Sequence, residues 1–285
     1  MLLPFLPAGR QGTFTFLLLS FNFYNMNIIV CIKQVPETTE VKINPETNTL
    51  IREGVKSIIN PFDMYAIEEG VRLKEKFGGK VTIVTMGPPQ AEAVLREAIS
   101  MGADEGILVC DRAFAGSDTW ATSYTLSNAI KKIGVFDLIL CGKQASDGDT
   151  AQVGPGISTH LNIPQVTYVK KIEEAKDKVM RVERMMEEGF EIIETPLPAL
   201  LTVVKEINEP RLPSLKGMMR AKSAKITVWS QKELELDSQQ IGLCGSPTQV
   251  VKIFTPPPRT GGQMLNGEVT EVADKLVELL KGEIA

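Results

Sequence analysis

At 285 residues with 43% hydrophobic side chains, the chain is long enough to bury a sizeable core, as one large domain or as a domain with an appendage. A formal net charge of −4 argues against general affinity for nucleic acid or an anionic membrane surface, both of which depend on clustered positive charge, and points to small molecules or proteins as partners. Four scattered cysteines, Cys31, Cys110, Cys141 and Cys244, outline neither a disulfide framework nor a zinc knuckle, which fits reduced cytosol.

The single histidine, His160, has no orienting carboxylate at obvious spacing and reads as an ordinary helix residue. No catalytic residue and no metal site is assigned, so any chemistry belongs to a bound cofactor.

Residues 1–25 include the apolar run "FTFLLLSF" (14–21), which is too short to span a bilayer and is followed by no A-x-A-like cleavage site before Met26. They are read as an upstream start-site artefact or a mobile extension. From Met26 the pattern alternates. A strand over 27–32 and extended pieces around 41–52 precede a helix over 62–77, which Asn60-Pro61 opens and Gly78-Gly79 closes. A strand over 81–85, a helix over 90–100, a strand over 106–110, a helix over 118–133 and a strand over 138–141 follow. This βαβ alternation predicts an α/β fold with an open, mostly parallel, Rossmann-like sheet covered by helices on both faces.

After the last of these strands comes "GKQASDGDTAQVGPG" (142–156), with a helix predicted to begin beyond Asp149. A glycine-rich loop at a strand's C-terminal end is either an anion site or a turn that is glycine-rich for geometric reasons, and the spacing matches neither G-x-G-x-x-G nor a P-loop. The turns after the other strands, Cys31 to Pro36, Met86 to Pro88 and "FAGSDT" (114–119), are placed to line the same crevice. In the last of them, Ser117 or Asp118 caps a helix, or Ser117, Asp118 and Thr119 hold a phosphate or ribose. Asp147 and Asp149 cannot attract phosphate by charge. They are expected to cap the helix or bind hydroxyls, leaving phosphate to backbone N–H groups, Thr150 and Gln152.

Beyond Pro164 the period shortens to strands over 166–172, 179–185 and 190–193 and the apolar run 198–204, a small β-rich section. The basic segment "LKGMMRAKSAK", a proline-rich linker over 255–259 and an amphipathic helix over 269–280 end the chain. That helix either reaches a partner or packs back on its own sheet.

The segments "IKQVP", "GVKSIINPFDMYAIEEGVRLKE", "TMGPPQAEAVLREAISMGAD", "GKQASDGDTAQVGP" and "NEPRLPSLKGMMRAK", in this order, resemble the β subunit of an electron-transfer flavoprotein. "VERMMEEGFEIIETPLPALLT" (182–202) is similar to that family's signature, although Glu188 stands where a small residue or aspartate is usual. The resemblance implies a heterodimer with a flavin-carrying α subunit and an adenine nucleotide in this chain. The nucleotide is AMP in one branch, and in the electron-bifurcating branch it is an FAD that takes hydride from NADH.

"FAGSDTWATS" and "DGDTAQVGP" resemble the bifurcating branch. Positions implied at the nucleotide are Cys31, Asn60, Pro61, Phe62, Asp63 and Met86, with Gly142, Lys143, Gln144, Ala145, Ser146, Asp147, Gly148, Asp149, Thr150, Ala151, Gln152 and Val153; Asp118 and Thr119 join them. Phe62 is implied to lie near the α-subunit flavin. Leu215 is implied to anchor a recognition loop, 210–225, on an acyl-CoA dehydrogenase-type flavoenzyme, with ferredoxin or flavodoxin as the low-potential acceptor. The nucleotide-binding domain is expected over 26–209 and an α-contacting arm over 226–285, in a cytoplasmic protein without a membrane span. A stand-alone adenine-nucleotide sensor domain is the reading that needs no flavin partner.

Overall fold

The computed structural model describes residues 25–37, 57–251 and 262–284. The expected extension before Asn25, the extended pieces around 41–52 and the linker at 255–259 lie outside the described residues. The chain divides into two compact units, whose described parts are 25–37 with 57–249, and 250–251 with 262–284.

In the larger unit, β1 (Met26–Ile32) is a run of apolar, largely β-branched residues buried on both faces, as a central parallel strand must be. A short antiparallel pair, β2 (Gln34–Pro36) and β3 (Ser57–Ile59), leads to α1 (Pro61–Phe77). Then β4 (Gly79–Met86), α2 (Glu92–Met101), β5 (Glu105–Val109), α3 (Thr119–Ile133), β6 (Leu138–Gly142) and α4 (Val153–Leu161) alternate. The strands run parallel in the order β5-β4-β1-β6. The chain therefore winds outward from β1 through β4 to β5 and returns to the other side of β1. That reversal puts a topological switch point between the C-terminal ends of β1 and β6.

Each strand sends alternate residues to opposite faces. Ile28, Val30, Leu138 and Leu140 pack with Ile67 and Val71 of α1 and Leu95 of α2, while Ile29, Cys31, Ile139 and Cys141 pack with Ile130 of α3 and Ile157 of α4. The close approach of α4 depends on glycine: a Cβ at Gly154 would stand 2.8 Å from the Thr202 methyl, and one at Gly156 would stand 2.3 Å from Ser123 Oγ.

The β-rich section extends this same sheet. β7 (Gln165–Lys176), β8 (Val179–Met185) and β9 (Phe190–Pro196) form an antiparallel meander, and β10 (Ala199–Val203) inserts parallel between β6 and β7. Tyr168 takes a left-handed conformation, φ 59°, at the bulge where β7 loses register with β10. Beyond it, α5 (Leu215–Ser223) is followed by β11 (Thr227–Trp229), which completes the nine-stranded sheet by pairing with β5, and by α6 (Gln231–Leu234). The smaller unit carries α7 (Val269–Ile284), which includes exposed Val269, Leu276, Val277 and Leu280.

Candidate functional site

The C-terminal ends of β5, β4, β1 and β6 gather at one edge of the sheet, where the crevice is expected. Asn60, Pro61, Phe62 and Asp63 begin α1 directly beneath the loop after β6. Asn60 occupies the N-cap position of α1 but makes no side-chain cap. Its Nδ2 donates to the Gln144 carbonyl at 2.8 Å and its Oδ1 accepts from the Ser146 N–H at 3.0 Å, so this amide is a two-pronged support for the loop. Asp63 spans the switch point, where its carboxylate accepts from the Lys33 N–H at 2.7 Å and the Gly142 N–H at 3.2 Å. Burial pushes its carboxyl up to about 7, against Asn60, the two N–H groups and the charge of Lys33, which favour the ionised form. Gly142 cannot be larger, because a Cβ there would lie 2.4 Å from Asp63 Oδ1.

Two further contacts tie the loop down. Lys33 Nζ meets Asp147 Oδ1 at 2.6 Å, and the Thr119 hydroxyl bonds Gln152 Oε1 at 3.0 Å. The Gln144 amide bonds the Asp149 carboxylate within the loop. Neither acid caps α4, contrary to one of the two roles expected for them: Asp147 neutralises Lys33, and Asp149, with φ 53°, takes the left-handed turn that Ala151 repeats. Gln152 at the N-cap of α4 makes no side-chain cap either, so that helix has an uncapped N-terminus behind the loop.

The contrast with α3 is direct. Asp118 Oδ1 accepts from the Trp120 and Ala121 N–H groups, and its Oδ2 accepts from the N–H and hydroxyl of Thr248. Both oxygens are thus engaged by protein. Thr119 and exposed Trp120 are the polar and aromatic groups left at that rim.

Cys31 and Cys141 are register partners on β1 and β6 under the crevice, and contact between the two thiols together with burial holds the Cys141 thiol well above its ordinary range. These thiols are packing groups rather than nucleophiles. Met86 packs partly buried at the end of β4. Lys143 projects between two rings, its Nζ 5.9 Å from the Phe62 centroid and 5.3 Å from that of Tyr168. Sequence reasoning missed Tyr168 and Thr248 because they reach Lys143 and Asp118 across 25 and 130 residues of chain, with no local signal; Lys33 lies in the turn expected at the crevice, but its pairing with Asp147 was not foreseen. Gly148, Thr150 and Val153 stand in the loop and at the helix start as expected, and a Cβ at Gly148 would meet nothing within 4 Å.

Leu215 opens α5 behind the Ser214 cap and is 73% exposed. The segment before it is bolted to α1, since Arg211 bonds Glu68 and Glu75 and the Asn208 amide bonds the Tyr65 carbonyl and Glu69. Arg220 is not a free surface charge: its guanidinium bonds the Ile99 and Ala103 carbonyls. His160 lies in α4, as expected, tilted against Trp120 at 4.6 Å and edge-on to Tyr124 at 5.8 Å between ring centroids. No group of three metal-ligating side chains, and no helix long and apolar enough to cross a membrane, occurs among the described residues.

A doubly wound sheet with an uncapped helix terminus and a braced loop at its switch point has the arrangement at which open α/β proteins bind ligands. Comparison with known sequences narrows this class. The electron transfer flavoprotein domain profile matches residues 47–234. The electron transfer flavoprotein subunit β of Thermoanaerobacterium thermosaccharolyticum is 55% identical over 256 residues, covering 90% of this chain and 98% of that protein. The caffeyl-CoA reductase-Etf complex subunit CarD of Acetobacterium woodii is 53% identical, covering 90% and 98%, and protein FixA of Azotobacter vinelandii is 51% identical, covering 82% and 86%. The chain belongs to the electron transfer flavoprotein family as a β subunit, a membership that implies an α-subunit partner and association with a flavin or nucleotide.

Proposed function

We propose that this β subunit binds FAD in the switch-point crevice, accepts hydride there from NADH, and divides the electrons between a low-potential acceptor such as ferredoxin or flavodoxin and the FAD of the α subunit. The α-subunit flavin then serves an acyl-CoA dehydrogenase-type flavoenzyme in the cytoplasm. The observation that carries the reading is the uncapped N-terminus of α4 beneath a loop held from four sides, beside an α3 whose own N-terminus is already capped.

The residues present fit such a group. In the first turn of α4 the N–H groups of Val153 and Gly154 precede the helical ladder, which begins at Gly156, and favour a phosphate, and the open space at Gly148 admits close approach of the backbone. Thr119, Thr150 and Gln152 supply hydroxyl and amide partners at the rim. Asn60, Lys33 and Asp63 act through the loop by fixing its course. Bound FAD would supply the redox chemistry, while the chain's part is to hold the nucleotide and fix its orientation.

The similarity to the caffeyl-CoA reductase-Etf complex subunit supports a role in a CoA-thioester redox complex. Acid extraction of the purified αβ complex followed by chromatography tests the assignment. Two FAD per complex is the expected result, and one FAD with one AMP would assign the chain to the AMP-binding branch.

A further inference from the structure

The chain that follows α6 crosses back over the turn that precedes α3. Gly242 makes the crossing with φ 57°, and a Cβ there would lie 2.1 Å from the Ala113 carbonyl oxygen. Leu243 covers Gly116, where a Cβ would stand 3.3 Å from the leucine Cβ. Ser246 fastens the crossing: its hydroxyl donates to the Gly242 carbonyl at 2.6 Å and accepts the Asp118 N–H at 2.8 Å. Thr248 then gives its N–H, at 3.0 Å, and its hydroxyl, at 2.8 Å, to Asp118 Oδ2. The larger unit ends one residue later, at Gln249, and the chain passes into the smaller one.

Asp118 thus does two jobs with separate oxygens. Oδ1 closes the N-terminus of α3 through the Trp120 and Ala121 N–H groups, while Oδ2 holds the departing chain. Capping needs only the first oxygen, and asparagine or serine would serve it as well. The second oxygen takes two donors at once, which suits an ionised carboxylate and not an amide nitrogen. The next residue, Thr119, bonds Gln152 at the end of the 142–152 loop at 3.0 Å. Adjacent residues of one helix start therefore fasten the loop and the root of the C-terminal unit.

We propose that Asp118 is a positioning residue that clasps the root of the C-terminal unit, residues 246–249, beside the 142–152 loop, and that a phosphate-bearing ligand on the loop strengthens the clasp. A ligand that requires the loop in this course favours the state in which Gln152 holds Thr119, and that state fixes the helix start from which Asp118 reaches Thr248. By linkage the coupling is reciprocal, so a fastened root tightens the ligand by the same factor. The ligand half rests on the function proposed above; the clasp rests on the hydrogen bonds alone.

The test is hydrogen exchange by mass spectrometry on the αβ complex, first depleted of nucleotide and then supplied with FAD or AMP, with the release of each nucleotide measured by dialysis. Asp118→Asn keeps one oxygen for the cap and turns an N–H group toward the two Thr248 donors. Protection of peptides covering 246–251 is expected to fall about tenfold, while peptides from the first turns of α3 hold theirs. Thr248→Val should loosen the same 246–251 peptides and Thr248→Ser should restore them, which keeps the inference testable if Asp118→Asn fails to fold. Bound nucleotide should raise protection of 246–251 in the wild type and not in Asp118→Asn, whose nucleotide release should be about fivefold faster.

A residue that only caps α3 would change neither the 246–251 peptides nor the release rate. Unchanged protection of 246–251 in Asp118→Asn, or no restoration by Thr248→Ser, would overturn the clasp. Nucleotide released at the same rate from wild type and variants would overturn the coupling. A complex that binds neither FAD nor AMP would overturn the function proposed above and the ligand half with it, and would leave the clasp standing on the loosened 246–251 peptides.

Discussion

The Asp63 carboxyl is buried beneath the crevice and held by two backbone N–H groups, and the two circumstances pull its titration in opposite directions. Burial wins, raising the folded-state value from 3.8 to about 7. A folded value above the unfolded one means that this group's contribution to global stability is fully present below about pH 4 and is lost as pH rises through 7. The displacement of about three units corresponds to about 4 kcal/mol. Asp63→Asn removes this penalty, so urea denaturation should show the variant gaining on the wild type from about pH 4 to about pH 7 and no further above it. A parallel pH dependence in the two proteins would contradict this sign. Gly148 provides a separate test: Gly148→Asp adds bulk and charge where a Cβ meets open space, so it should spare the fold and lower β-site flavin content in chromatographic extracts.

Among the elements, α3 and α4 pack on the same face of the sheet but end differently toward the crevice. The N-terminus of α3 is closed by Asp118, which also fastens Thr248. Replacing Asp118 with Ala removes four acceptor contacts, and the loss of a cap alone costs about 1–2 kcal/mol, readable as a lowered urea midpoint. The N-terminus of α4 has no cap to lose, which suits an element that holds a ligand. A second functional element is α5. The Arg211–Glu68–Glu75 cluster fixes the chain before it to α1, so exposed Leu215 is presented on a rigid base. If Leu215 is the docking anchor, Leu215→Ala should weaken titrated binding to the dehydrogenase about tenfold or more, with cofactor content and stability unchanged. Charge reversal at Lys216 and Lys222 should act on association rate and salt dependence instead.

For the whole molecule, Met26 is fully buried at the start of β1, and its N–H bonds the Gly78 carbonyl. A chain begun at Met26 should therefore fold into a soluble, cofactor-loaded complex, and failure to recover one would show that the preceding residues are needed. The strand and helix periods, the Asn60-Pro61 start, the glycine stops and the loop after β6 were all legible, because apolar spacing and turn chemistry act within a few residues of chain. So was the gathering of four strand ends at one edge, since parallel strands joined by helices leave their C-terminal ends together. What the residues alone did not show was the insertion of β10 between β6 and β7, the pairing of β11 with β5, or the partners of the conspicuous polar side chains. Asn60 looked like a cap and is a loop support; Asp147 and Asp149, for which capping α4 was one of two expected roles, do not cap it and pair with Lys33 and Gln144. Strand order and side-chain partnership are decided by which surfaces meet after collapse. At those meetings, groups up to 143 residues apart compete for the same hydrogen bonds, and no local spacing encodes the winner.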